Sequence, residues 1–451
     1  MRPRDRTWWV LAALAAHVPV GLAMAQSAAL ATYEAALVFV GGLAVAAFAD
    51  RTYAAYAAAY IAGAEVLWRM SHATLPWEFG KLAVAAVLGV AVIRGQRWRE
   101  GATPLLYFGL LLPSAFITIA QMSPTDAREQ LSFNLAGPFA LAVSAWFCQT
   151  LELTPAQRLR LYACMIAPAI GVAAVATHGI TSASIIEFNT ESNRATSGGF
   201  LPNQVSAVLA LGAMMAGLLA LSASTGWLLR ALMTAVLVGL ATQSALTFSR
   251  GGLYMTGAGL ALAVLVQFRD PRTWVKAVVL GAGVFVLGTA VIWPRLEKFT
   301  GGAITERFEE TDSSGRDDIA RADLEIWAAH PVLGVGPGGA VELREAIIRR
   351  GVAAHVEFTR LLAEHGVFGL TAALVLLWMA LRAVRRAAPG GDRGAAAAMV
   401  AWGLMFMLIS ATRLAAPSFV LGLAFARSRR GMEPVRTRAR ASAWAEDYRV
   451  A

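Results

Sequence analysis

The sequence predicts an all-α polytopic membrane protein of about 12–14 transmembrane helices with one long, helical outer loop, and three observations predict it. Hydrophobic residues make up 57% of the 451 residues and charged ones only 15%, whereas soluble domains run nearer about 25% charged. Apolar stretches approaching the ~20 residues that span a bilayer recur along the whole chain. Its basic residues fall in short clusters between those stretches, which is how topology determinants are distributed. The excess of 39 Lys+Arg over 29 Asp+Glu, a net +10, therefore does not point to nucleic acid, and no basic–aromatic motif for RNA or DNA is present.

Apolar segments lie near 7–25, 28–49, 52–68, 78–95, 104–121, 134–150, 160–178, 203–222, 228–247, 252–268, 274–293, 362–382, 394–412 and 414–427. The first follows "MRPRDR" like the core of a signal peptide, but so many spans succeed it that an uncleaved first span is expected. The third and the last are short, and re-entrant segments would lower the count to twelve. Cys148 and Cys164 lie in or beside apolar segments without C-x-x-C spacing and read as buried thiols.

Starting inside from Arg2, Arg4 and Arg6, alternation puts "RGQRWRE", "RDPRTWVK", "RAVRRAAPGGDR" and the basic tail all on the cytoplasmic side. The organisation that follows is membrane helices over 1–293, an outer loop with amphipathic helices over 294–360, membrane helices over 361–427 and a basic cytoplasmic tail over 428–451. The tail suits an anionic inner leaflet. Within the loop, "SSGRDDIARADLEIWAAH" reads as a helix capped by Ser313 or Ser314, with Asp317 and Asp318 in its first turn and Pro331 beyond its end. Ile319, Leu324, Ile326 and Trp327 give it an apolar side to lay on the membrane face. "VELREAIIRRG" reads as a second short helix, stopped at Gly351.

The residues that bear chemistry face outward. Arg250, in "TFSRGG", sits between two apolar runs so close together that its loop hugs the membrane; it either anchors a helix end by snorkelling or holds an anion. Arg194 lies among small and polar residues, where a ligand contact and a solvated loop arginine are both consistent. Arg316 opens the loop helix, where a cation opposes the helix dipole and anion binding is the better reading. His355 heads "HVEFTRLLAEHGVFG", either an ordinary interfacial histidine or a proton acceptor at the surface.

Guanidiniums offer a planar fork of donors to phosphate oxygens and stay charged. A diphosphate leaving group gathers negative charge in the transition state, which fixed cations stabilise. A neutral imidazole can take the proton of a hydroxyl nucleophile. Together these residues describe transfer of a group from a lipid diphosphate to an alcohol at the outer membrane surface.

Other features are weaker. "GVGPGG" matches G-x-G-x-x-G, but no strand precedes it and it reads as a turn. Asp317 and Asp318 are adjacent and point apart on a helix, so a helix-start role outweighs a metal site. His330 precedes a helix-ending proline and His365 lies ten residues beyond His355, too far along one helix to share its site; His17 and His72 show no partner in the sequence, and His178 opens an outer loop. An anionic-lipid transporter or flippase remains a competing class, but it would call for ionisable residues on both sides of the midplane.

At this point the chain resembles the superfamily of O-antigen ligases and polymerases. "NRATSGGFLPNQVSAVLAL" is similar to the family's R-x-x-G-x-F-x-x-P-N turn, with looser spacing. "LTFSRGGLYM" resembles its T-x-S-R-[GA] segment, and "GRDDIARADLEIWAAHPVLGVGPGG" its R-x(10)-W-x(3)-P-x-x-G-x-G loop helix. "HVEFTRLLAEHGVFG" fits H-[NSQ]-x(9)-G-x-x-G except at Val356, where the family carries a small polar residue.

The resemblance implies a membrane-embedded (GT-C-like) inverting glycosyltransferase of the bacterial inner membrane, without metal or other cofactor, its site facing the periplasm. His355 would be the catalytic base, and Arg250, Arg316 and, with less support, Arg194 would bind the diphosphate of an undecaprenyl-diphosphate-linked O-antigen. Chain length and the single large outer loop favour a ligase, whose acceptor is the lipid A-core oligosaccharide. A polymerase or a protein O-oligosaccharyltransferase would share the donor. Implied partners are these two lipids and the surrounding membrane lipids.

Overall fold

The computed structural model describes residues 3–95, 101–183, 186–189, 191–267, 270–310, 315–348 and 356–429, and nearly all of them are helical. Helices α1 (Pro3–Ala25), α2 (Ala28–Phe48), α3 (Arg51–Met70) and α4 (Phe79–Gly95) come first. Two short pieces, α5 (Ala102–Gly109) and α6 (Ala115–Gln121), take the place of one crossing, and α7 (Pro124–Cys148) follows. Next come α8 (Pro155–Ser182), α9 (Pro202–Leu221), α10 (Trp227–Leu246), α11 (Arg250–Leu265) and α12 (Pro271–Leu287). The segment between α12 and the last membrane helices holds α13 (Trp293–Thr300), α14 (Ala303–Glu309), α15 (Arg316–Ala329) and α16 (Ala340–Ile348). Helices α17 (Glu357–Arg386), α18 (Gly391–Ser410) and α19 (Ala415–Leu423) complete the bundle.

The protein is an all-α polytopic membrane protein. Among the described residues nine helices are long and apolar enough to cross a bilayer. The other five of the fourteen expected segments are α3, which carries Glu65 and Arg69; α4 and α11, with 17 and 16 residues; the broken pair α5–α6; and α19, with only 9 residues.

Contacts between the connections sort them into two ends. At one end the two-residue strands β1 (Glu152–Leu153) and β2 (Arg427–Ser428) pair in parallel, and Arg158 meets Asp392 at 2.6 Å. Arg94 caps the carbonyls of Ala46 and Ala49 there. At the other end Asn193 N–H donates to Thr247 O, Thr118 to Pro337 O, and Thr412 to Glu357. Arg250, Arg316 and the turn carrying Arg194 all belong to this second end.

Small residues let the helices approach closely, as membrane packing requires. A Cβ on Gly21 of α1 would lie 2.9 Å from the backbone of Gly171 in α8. Helix α9 is buried nearly all round, so it forms the centre of the bundle. Helix α12 is the opposite: none of its side chains is buried.

Three local expectations shift. The eleventh segment does not stop near Pro294; a π-helical turn over Gly288–Ile292 leads straight into α13, and the helix runs to Thr300. A wider turn accommodates a proline ring that would otherwise press on the preceding turn. The cap of α15 is Gly315, at φ +75°, with no side-chain cap bond, while Ser313 and Ser314 lie outside the described residues, as does Gly351. The inward side of α15 is Ile319, Ala322, Asp323 and Ile326, packed against α16 and α17, whereas Leu324 is exposed.

Candidate active site

The T-x-S-R segment is the tight turn between α10 and α11. Thr247 ends α10, Ser249 stands at the N-cap position of α11 and Arg250 is its first residue, so the guanidinium is launched from the second end of the bundle. Between them Phe248 is fully buried at φ +58°, a left-handed conformation costing an L-residue roughly 1–2 kcal/mol. Its ring stacks on Phe188 at 5.7 Å, within an apolar cluster that includes Leu296 and Ile304 and holds the turn in place.

The turn is stitched to the second motif loop. Asn193 N–H donates to Thr247 O at 3.1 Å, and Ser249 Oγ donates to Asn203 Oδ1 at 2.8 Å. Ser206 Oγ donates to Ser249 O at 3.1 Å. Gly252 permits this approach, because a Cβ there would fall 2.2 Å from Ser206 Oγ.

Three arginines gather over this turn. Arg250 Nη1 donates to the carbonyl oxygen of Glu310. Arg307, on α14, donates from Nε to Phe248 O at 3.1 Å and from Nη1 to Glu310 Oε2 at 2.6 Å. Arg316 is half-buried at the start of α15, with no hydrogen-bond partner among the described residues. Burial, followed by the charges of Arg250 and Arg307, holds its guanidinium below the usual arginine range, with Asp317 acting in the opposite sense. A guanidinium placed near two others is a setting in which a bound anion would be favoured.

The other expected residues fall as follows. Arg194 begins a 3-10 turn (Ala195–Ser197) beside Asn193; its carbonyl accepts from Ser197 and Gly199, and its side chain is exposed without a hydrogen bond among the described residues. His355 lies outside the described residues; the helix it precedes begins at Glu357. Asp317 and Asp318 are exposed on the first turn of α15.

Sequence reasoning missed Arg307, Asn203 and a buried ionic network behind the site. Arg360 bridges Glu357 at 2.8 Å and Glu364 at 2.6 Å, and also donates to Asn134 on α7 at 3.2 Å. Arg344 of α16 pairs with Asp323 of α15, whose other oxygen accepts from Thr359 at 2.8 Å. Glu357 in turn accepts from Thr412 between α18 and α19. These bonds lock the outer helices onto the first turns of α17. The spacing of Glu357, Arg360 and Glu364, three and four apart on one helix face, was the available signal.

The glycine-rich turn completes that frame. Val335 and Gly336 N–H groups donate to Ala363 O and Glu364 O, and Val367 N–H donates to Pro331 O. Helix α17 breaks at Gly366 (φ +60°, ψ −137°), where a Cβ would sit 2.5 Å from the carbonyl of Val332. His365, beside it, is buried against Ser114, and His17 bonds Tyr60 at 3.0 Å; His330 is exposed and His178 meets Ser182 within its own helix.

Residues 235–374 match the family model described as O-antigen ligase. The matched stretch contains Arg250, Arg307, Arg316 and the start of α17, while Arg194 precedes it. No curated protein matches the chain. The match supports an O-antigen ligase- or polymerase-type function and a glycosyltransferase-like enzyme. Through this segment, under a third of its length, the chain is similar to the O-antigen ligase family.

Proposed function

We propose that the chain is an O-antigen ligase that transfers a glycan, with inversion, from undecaprenyl diphosphate to a hydroxyl of the lipid A-core oligosaccharide at the periplasmic face of the inner membrane. The observation that carries this reading is the gathering of Arg250, Arg307 and Arg316 over one turn at one end of the bundle.

In this mechanism the acceptor oxygen attacks the anomeric carbon, a new C–O bond forms, and the bond from that carbon to the diphosphate oxygen breaks. The electron pair leaves on the diphosphate, which Arg250 and Arg316 hold, with Arg194 assisting at the loop edge. Arg307 fixes the turn beneath them. The hydroxyl proton passes to the His355 imidazole, a contribution of about 10²–10⁴-fold in rate. The guanidiniums supply the positive charge that a metal supplies in other phosphate chemistry, so the reaction proceeds without one.

The domain plan fits this assignment: residues 1–293 and 361–427 would embed the donor, 294–360 would form the periplasmic cover, and 428–451 the cytoplasmic tail. A transporter would need ionisable groups along a path through the bilayer. Instead the buried charges of α3, α4 and α17, namely Glu65, Lys81, Arg360 and Glu364, lie near the same outer ends.

Purified protein in lipid, given lipid-linked glycan and each acceptor separately, tests the reading. A ligase forms product with lipid A-core alone. Product only with a second lipid-linked repeat, or only with a Ser/Thr peptide, would reassign it to polymerase or protein glycosylation. Movement of the donor between leaflets without any product would overturn the enzyme reading.

A further inference from the structure

A cavity of about 340 Å³ opens at the same end of the bundle as Arg250, between the end of α3, the turn 71–78 and Phe200. No step of the transfer chemistry uses it. Its volume is at the lower end of the range for small-ligand sites, about 300–1,000 Å³.

Trp77 forms one wall and keeps 38% of its surface exposed. Arg69 lies over the ring, 3.9 Å from its centroid, and is itself tied to Glu65 at 2.6 Å, Gln204 at 3.0 Å and Trp77 O at 2.6 Å. The indole is thus held rigidly, with no hydrogen bond to its N–H among the described residues. Trp68 and Phe79, edge to face, supply an apolar floor.

His72 stands at the rim. Helix α3 ends at Met70, and His72 takes φ +54° just beyond, the position where glycine most easily ends a helix. The sequence places an imidazole there instead, exposed and without a hydrogen-bond partner among the described residues.

A flat, rigid indole beside unpartnered donors and acceptors fits a sugar ring, whose C–H face is apolar and whose edge carries hydroxyls. The cavity also shares a support with the arginine cluster: Gln204 holds Arg69, while the adjacent Asn203 holds Ser249 beside Arg250. We propose that this cavity is a sugar-binding subsite, in which one pyranose ring of a glycan stacks on Trp77 and hydrogen-bonds His72. The inference rests on the glycosyltransferase reading for its choice of glycan, but binding there requires no transfer.

The test is saturation-transfer NMR on the purified protein in lipid nanodiscs. The probes are O-antigen polysaccharide and core oligosaccharide, each released from lipopolysaccharide by mild acid. Wild type should saturate ring protons of one fraction, and the fraction that responds identifies the subsite as donor-side or acceptor-side. Trp77→Ala should weaken that binding about tenfold or more, as loss of a well-packed aromatic contact would. Trp77→Phe should keep most of it, and His72→Ala, at an exposed position, should weaken it without unfolding. Arg250→Ala should leave it intact, which separates this inference from the catalytic reading. Failure of both fractions to bind wild type, or unchanged binding in both Trp77→Ala and His72→Ala, would overturn it and leave Trp77 as an anchor at the bilayer surface.

Discussion

Arg307 Nε donates to the carbonyl oxygen of Phe248 at 3.1 Å, tying the short helix α14 to the turn that launches Arg250. The bond joins two segments nearly sixty residues apart in sequence, and it makes the position of one arginine depend on another.

Arg307 should therefore tolerate little change. Arg307→Lys keeps a charge but cannot donate to Phe248 O and Glu310 with one planar fork. We expect turnover to fall by about tenfold or more, with Arg307→Ala worse, toward the ~10²–10³-fold typical of losing a preorganised donor. Steady-state transfer with saturating donor measures it. Wild-type turnover in Arg307→Lys would show that the bond to Phe248 O does not position the site.

At Arg250 and Arg316 the same substitution tests the phosphate fork itself. Arg250→Lys and Arg316→Lys should each lose most activity despite retaining a positive charge, because bidentate contact to phosphate oxygens is lost. Full activity in both Lys variants, alongside inactive Ala variants, would mean that bulk charge suffices.

The all-α membrane architecture was legible from sequence because long apolar segments recur along the chain. Arg250 and Arg316 could be singled out in the sequence because each stands apart as a cation in an unusual place. Arg307 was not: in "TERFEE" it looks like one charge of a solvated helix, and only folding brings it under Phe248. The eleventh segment is bounded at 293 by the end of its apolar run, and the π-turn at Gly288–Ile292 that carries the helix past Pro294 has no simple sequence signature. Asp323 and Arg344 stand on separate helices, so no local spacing pairs them in the sequence, yet both are fully buried against one another.

Arg360 anchors the network beneath the outer helices, with Glu357 and Glu364 both within 2.8 Å. Arg360→Met leaves two buried carboxylates without their shared cation. Breaking a buried pair in this way costs about 3–5 kcal/mol, so a large drop in melting temperature in detergent is expected. A variant as stable as wild type would show that the network is dispensable for folding.

Transfer should survive chelation. The arginines provide the charge at the leaving group, so EDTA should leave the rate within about twofold of its untreated value, since no Lewis acid is required. Loss of transfer in chelator, restored by magnesium or manganese, would overturn this expectation and bring Asp317 and Asp318 back as ligands.

The central claim is that proton removal by His355 and donor holding by the arginines are separate tasks, and one variant tests it most directly. His355→Ala should lose about 10²–10⁴-fold in turnover, the share of a positioned base, while binding lipid-linked donor as wild type does. In wild type the rate should fall on acidification, because a protonated imidazole cannot accept the hydroxyl proton. Turnover and donor affinity are therefore to be measured together on purified His355→Ala protein with lipid A-core as acceptor. Lost turnover with intact donor binding is the predicted result; near-normal turnover on that acceptor would contradict the account.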